Sequence, residues 1–357
     1  MKKDYQYQLE ELLSIAIRSR ASDLHISPNH YPILRMAGAL APLLKKSKLS
    51  QEDTRGLAFA LMTEDQQEKL LRQKEVDFSY HFGEKSRFRV NVFFQNEGIS
   101  AALRLIPLRI PTLEELKLPS DLLRFTTPRQ GFVLLTGPSS HGKSTTLATL
   151  VNEINNSRTD HIVTIEDPIE YIFEDNKCII DQREVYHDTL SFSAALKATF
   201  RQDPDVIMVG EMRDPETIAT AITAAETGHL VFATLHTNSA AQTVHRIVDT
   251  FPPAQQGQIR AQLAGSLLGV VSQRLIPRLE GGLIPACEIM ISTPAVANLI
   301  RDEKVYELPM VIETSAEKGM VSLNRALAKL VKGGEISVKN ALNYSLTPSE
   351  LRTLVRK

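Results

Sequence analysis

The sequence predicts an α/β protein in which a small α+β module precedes a parallel sheet covered by helices. Three observations predict it. From Gly131 onward, apolar runs of strand length alternate with amphipathic helical runs, the rhythm of parallel strands joined by crossover helices. At the first crossover the chain reads Gly137-Pro-Ser-Ser-His-Gly142-Lys143-Ser144, a glycine-bracketed loop set between a strand and a helix. Upstream, from Asp23 to about Ile106, strands and helices mix without that alternation.

The elements follow in order. Residues 9–20 read as a short helix, with Leu9, Leu12, Leu13, Ala16 and Ile17 on one face. Strands are predicted at 33–36, 88–94 and 100–105, and helices near 51–62 and 64–73, giving a largely antiparallel sheet. Pro107 and Pro111 punctuate a boundary, and Thr112-Leu-Glu-Glu115 has the form of a capping box that opens a further helix. The expected division is a module over 1–106, a linker over 107–118 and a second domain over 119–357, in keeping with the 357-residue length. In that second domain strands are predicted at 132–136, 161–165, 205–209 and 230–234. Helices are predicted at 144–155, 192–201, 215–227 and 239–248. Asp214-Pro215 supplies an N-cap followed by an N1 proline, and Gly228 ends that helix. After about residue 255 the chain is expected to be mostly helical, with Thr347-Pro-Ser-Glu350 capping the last helix.

The loop at 137–144 is the strongest chemical signal. Its glycines let backbone N–H groups turn inward around an anion, and the following helix N-terminus adds partial positive charge. Gly137, Pro138, Ser139, Ser140, His141, Gly142, Lys143, Ser144 and Thr145 are therefore the candidate phosphate-binding residues of a nucleoside triphosphate site. Lys143 would reach the β/γ-phosphates and Ser144 would hold Mg²⁺. In an open parallel sheet, ligands sit at the carboxyl ends of the strands. Here those ends run into Glu166-Asp-Pro-Ile-Glu170, Gly210-Glu211-Met-Arg213-Asp214 and Leu235-His236-Thr237. Phosphoryl transfer needs a metal, a positioned water and positive charge on the developing oxyanions. Glu211 is the candidate to orient or deprotonate the water, directly or through Mg²⁺. Glu166 is the second acid, with Asp167 as its competitor or as a turn-shaping residue before Pro168. His236 is placed to sense the γ-phosphate. His229, at the far end of the same strand, is open between a functional group and a satisfied buried histidine. Arg213 is the only arginine at these strand ends; the first module offers Arg87 and Arg89 on one face of a strand and Arg104 on the next.

Composition excludes several classes. With 41 Lys+Arg against 42 Asp+Glu there is no global field for nucleic acid or an anionic membrane. Lys45-Lys46-Ser-Lys48 reads as a solvated loop. Cys178 and Cys287 form no C-x-x-C pair, which argues against a disulfide framework or a zinc site and suits a reducing cytoplasm. The start, Met1-Lys-Lys-Asp-Tyr5, is polar and unlike a signal peptide. The longest apolar stretch, around 263–271, falls short of the ~20 residues a membrane span needs, so a soluble protein is expected.

Together these residues resemble the secretion-superfamily ATPases of type II secretion and type IV pili, and within them the pilus-retraction ATPases. The resemblance covers nearly the whole chain. It rests on Ala21-Ser-Asp-Leu-His-Ile26, Arg87-Phe-Arg-Val-Asn91, the 137–144 loop and Thr164-Ile-Glu-Asp-Pro-Ile-Glu170. It continues through Arg201-Gln-Asp-Pro-Asp205, Val209-Gly-Glu-Met-Arg-Asp214 and Thr227-Gly-His-Leu-Val-Phe-Ala-Thr-Leu-His-Thr237.

The resemblance implies a PAS-like N-terminal domain, a RecA-like ATPase domain with a helical C-terminal region, and a homohexameric ring using ATP and Mg²⁺. It implies that Arg87 and Arg104 contact phosphates, that Glu211 is catalytic and that Glu166 supports it. The implied partners are further copies of the chain, an inner-membrane pilus platform protein and a paralogous ATPase, but not nucleic acid. The implied location is cytoplasmic, at the inner face of the cell membrane. Assembly and secretion ATPases, which carry a longer N-terminal region and a four-cysteine insertion, are the alternatives, as is a regulatory ring subunit that only binds nucleotide. Three positions depart from the family pattern. Ser139-Ser140-His141 replaces a common Thr-Gly-Ser, Gln202 replaces glutamate, and Ala297 replaces the first arginine of a retraction-type segment spanning 295–302.

Overall fold

The computed structural model describes residues 4–19, 21–36, 38–83, 86–96, 98–106 and 109–356. The polar start at 1–3 and Pro107, read above as a boundary, lie outside these residues. The chain forms two compact units, Met1–Arg109 and Ile110–Lys357.

The first unit runs α1 (Tyr5–Arg18), β1 (Asp23–Ile26), β2 (Ile33–Met36), β3 (Ala39–Pro42), α2 (Gln51–Ala60), α3 (Glu64–Gln73), β4 (Glu75–Phe82), β5 (Ser86–Gln95) and β6 (Gly98–Ile106). Among the described residues these strands make one antiparallel sheet, in the order β3-β2-β1-β6-β5-β4. α1 buries Leu9, Leu12, Leu13 and Ala16 on one face, in a core shared with Phe88, Val90 and Leu103 of the sheet. β1, β3 and β4 are additional to the strands predicted. β4 shows the alternation that sequence reading passed over, with Val76 and Phe78 buried between exposed Glu75 and Asp77.

The second unit comprises β7 (Gly131–Thr136), α4 (Lys143–Ser157), β8 (His161–Glu166), β9 (Ile179–Glu184), α5 (Phe192–Thr199), β10 (Val206–Val209), α6 (Pro215–Glu226), β11 (Leu230–Leu235), α7 (Ala240–Asp249), α8 (Pro253–Ser266), β12 (Leu267–Pro277), β13 (Leu283–Ile291), α9 (Pro294–Arg301), α10 (Leu308–Thr314), α11 (Leu323–Lys332), α12 (Val338–Tyr344) and α13 (Pro348–Arg356). The described strands form a sheet in the order β13-β12-β7-β11-β10-β8-β9. All pairings are parallel except that of β13 with β12. β7 and β11 are buried at every position, as expected of continuous apolar strands covered on both faces.

Three expectations are revised here. The region after 255 is built largely of helices, as expected, but β12 and β13 form an unanticipated long hairpin through it. Its tip is Gly281-Gly282, with φ of 86° and 76°, a turn that favours glycine at both positions and was the available hairpin signal. The Thr112–Glu115 capping box does form, with Glu115 N–H to Thr112 Oγ1 at 3.3 Å and Thr112 N–H to Glu115 Oε2 at 2.9 Å. It closes a turn over 113–117, and only a short 3-10 helix at Ser120–Phe125 follows, in place of the expected α-helix. The stretch 110–118, read as part of a linker, has Leu113 and Leu118 buried in the core of the second unit. Cys178 and Cys287 are free and buried. No helix among the described residues is long and apolar enough to cross a membrane.

Candidate active site

The site grows from the end of β7. Beyond Thr136 the chain turns at Gly137 with φ 143°, and a Cβ there would lie 2.3 Å from the Gln273 carbonyl oxygen. That approach is closer than any side chain permits. Ser140 (φ 64°) and Gly142 (φ 78°) complete the loop, and Gly142 leads into α4. Unlike α5, α6 and α7, which Ser191, Asp214 and Ser239 cap, α4 has neither a capping side chain nor an acid in its first turn. Its N-terminal N–H groups and their partial positive charge are thus available to an anion.

Lys143 is buried. Its Nζ donates to the carbonyls of Gly137 (2.8 Å) and Pro138 (3.0 Å) and lies 3.4 Å from His236 Nδ1. Burial pulls its pKa down, while the Glu211 and Glu170 carboxylates oppose that shift.

β11 ends at Leu235 and delivers His236. Its Nδ1 faces Ser139 Oγ at 3.2 Å, and its Nε2 stands 3.1 Å from Glu211 Oε1. A carboxylate only accepts, so Nε2 carries the proton toward Glu211 and Nδ1 is left to accept from Ser139 and Lys143. Burial and then the Lys143 charge hold the His236 pKa below its usual value, which favours this neutral ring.

β10 ends at Val209. Gly210 N–H bonds the Ile165 carbonyl at 2.8 Å, which sets Glu211 at the mouth of the site. The second oxygen of Glu211 accepts from Arg213 at 2.7 Å, and Arg213 also lies 3.8 Å from Asp167. One polar chain therefore joins the loop to the ends of β11, β10 and β8.

Glu166, at the end of β8, is buried, and that desolvation raises its pKa to about 7. The bonds from Thr164 Oγ1 (2.8 Å), Glu170 N–H (3.3 Å) and Gln182 Nε2 (3.3 Å) oppose the rise. Its carboxyl thus exchanges a proton near neutrality, whereas Asp167 faces Arg213. His229 Nδ1 bonds the Ala224 carbonyl at 2.9 Å and its ring meets Phe200 edge-on.

The donor set fits Mg²⁺ held chiefly by phosphates. Among the described residues no group of three or more His, Cys, Asp or Glu could hold a metal. Mg²⁺ in nucleotide sites usually takes only one or two protein ligands beside phosphate and water. Ser144, half-buried in the first turn of α4, and Glu211 at the site mouth offer that number.

The first unit holds the other two candidates. Arg87 is buried on β5 and donates to Ser79 Oγ at 2.7 Å. Arg104 on β6 is exposed and pairs with Asp23 at 3.0 Å.

Sequence reading missed Ser272 and Gln273 on β12. Ser272 Oγ meets Thr136 Oγ1 at 2.7 Å; Gln273 accepts from Thr146 Oγ1 and donates to the His141 carbonyl, both at 2.8 Å. Their signal was a polar Ser-Gln-Arg step inside an apolar run. A cavity of about 270 Å³ opens beside the loop, bordered by Gly142, Thr145, Gln273, Leu275 and Leu116.

Comparison with known proteins shows which family the chain belongs to. The family model described as Type II/IV secretion system protein matches residues 4–321. The type IV pilus retraction ATPase PilT of Pseudomonas aeruginosa is 45% identical over 340 residues, covering 95% of this chain and 98% of that protein. A twitching motility protein of Neisseria gonorrhoeae is 44% identical over 311 residues, covering 87% of this chain and 83% of its own length. The crystal structure of the pilus retraction motor PilT with bound ADP superposes with a TM-score of 0.89 at 45% identity. That match covers 96% of this chain and 98% of the other.

Proposed function

The chain belongs to the Type II/IV secretion system protein family, and on that footing we propose that it is a Mg²⁺-dependent ATPase that powers retraction of a type IV pilus. The observation that carries the reading is the polar chain from Lys143 through His236 to Glu211, which ties a phosphate-sized loop to a carboxylate at the end of β10.

In this mechanism the uncapped start of α4 and Lys143 bind the phosphates, and the cavity bordered by Leu275 takes the base. Ser144, with Glu211 through water, would hold Mg²⁺, which offsets charge on the phosphates when bound. Glu211 orients or deprotonates the attacking water. His236, neutral and bonded to both Glu211 and Ser139, reports the state of the loop to the carboxylate. Glu166 acts behind it as a buried proton reservoir. Arg87 and Arg104 supply further positive charge to the phosphates, and Arg104 exchanges Asp23 for that role. Further parts of the proposal are a PAS-like assignment for the first unit, a homohexameric working form, and action in the cytoplasm. There the ring would work against an inner-membrane pilus platform protein, alongside a paralogous ATPase.

Imaging labelled pili in the source bacterium tests the direction of work. A strain lacking this chain should keep extended pili and lose retraction. The wild-type chain should restore retraction, and Glu211→Gln should not. Loss of pili altogether in the deletion strain would instead make it an assembly motor.

A further inference from the structure

Parallel pairing of β12 with β7 ends at Ser272 opposite Thr136, because the chain leaves β7 there to form the loop. Three residues further along β12, the N–H of Leu275 has no β7 residue to bond. His141 takes it, with Leu275 N–H donating to His141 Nδ1 at 2.9 Å. A loop side chain thus continues the sheet past the end of its neighbouring strand.

The same residue is held twice more. Its carbonyl accepts from Gln273 Nε2 at 2.8 Å, and its ring meets Tyr344 of α12 edge-on at 6.3 Å. The Tyr344 carbonyl in turn accepts from Arg274 Nη1 at 3.0 Å. Leu275 and Gln273 also border the cavity beside the loop. His141 therefore belongs to the phosphate loop and also bonds the strand that walls that cavity. Accepting at Nδ1 requires that nitrogen to be unprotonated. Burial, and then the Arg274 and Lys143 charges, hold the ring neutral.

We propose that His141 is a positioning residue for nucleotide, pinning the phosphate loop and the cavity wall to each other through its bond to the Leu275 amide. The inference rests on the nucleotide site proposed above. A pin of this kind preorganises the loop equally for substrate and transition state. Its loss therefore raises KM and leaves kcat nearly unchanged.

The test is steady-state ATP hydrolysis by the purified full chain, with hydrogen–deuterium exchange of the peptide containing Leu275. His141→Ala should raise KM about tenfold, keep kcat within about twofold and speed exchange at that peptide. His141→Asn places an acceptor oxygen where Nδ1 stands and should restore both readings. His141→Gln carries its acceptor one bond too far and should not. The Asn and Gln variants keep the comparison decisive should the alanine variant fail to fold. An unchanged KM in both His141→Ala and His141→Gln would overturn the proposal, as would Asn and Gln variants that are equally impaired. Lys143→Ala separates this failure from failure of the site itself. If the wild type turns over ATP, Lys143→Ala abolishes binding and the His141 variants are normal, only this inference falls. If the wild type neither binds nor hydrolyses ATP, the site reading falls with it.

Discussion

Glu166 sits at the midpoint of its titration near neutral pH because burial costs its charge more than its hydrogen bonds return. Its pKa is raised from 4.5 to about 7, so the folded chain binds this proton more tightly than the unfolded chain does. The group's contribution to stability is therefore complete below about pH 4.5 and is lost as pH rises through about 7. Glu166→Gln removes the titration. Urea unfolding of the nucleotide-free protein should show the variant gaining on the wild type by ~3 kcal/mol between pH 4.5 and pH 8. Parallel stability profiles would mean that Glu166 is ionised throughout. At this scale Lys143, Ser144, Glu211 and His236 were legible, because each sits in a short motif whose neighbours force its position. Ser272 and Gln273 were not. They reach the loop from a strand more than a hundred residues away, and no local pattern encodes that pairing.

Elements were legible in proportion to how strongly local pattern decided them. α4, α6 and α7 begin within a residue of expectation, since the loop, Asp214-Pro215 and Ser239 fix their starts. β9 escaped notice because it lies at the sheet edge and mixes Ile180 with Asp181, Gln182 and Arg183, so its partner β8 decides its conformation. β12 follows α8 without a break, and its Val270-Val271 run is buried by long-range packing. Two glycines show how context sets the sign of a substitution. Gly257 lies exposed within α8 with nothing within 4 Å of an added Cβ, so Gly257→Ala should stabilise the chain by ~0.5–1 kcal/mol. Gly137→Ala would drive a methyl into the Gln273 carbonyl at an unfavourable φ, and should weaken ATP binding at least about a hundredfold. Thermal unfolding and binding titrations of the two variants check the pair. Equal effects would show that the loop is not held against β12.

At the scale of the molecule the sequence showed two parts and a nucleotide motor's site. It placed the start of the second part too late, because Leu113 and Leu118 look like linker residues until the core that buries them is known. Ala297, where the retraction-type segment departs from its relatives, packs on the second unit's core from α9. The small residue fits that half-buried place. The central claim is that this loop binds ATP and that Glu211 hydrolyses it. Phosphate release from Mg²⁺-ATP by the purified full chain, compared with its Glu211→Gln variant, tests it most directly. The account predicts turnover reduced by about a hundredfold or more in the variant, with nucleotide affinity within a fewfold of wild type. Turnover by Glu211→Gln at the wild-type rate would contradict it.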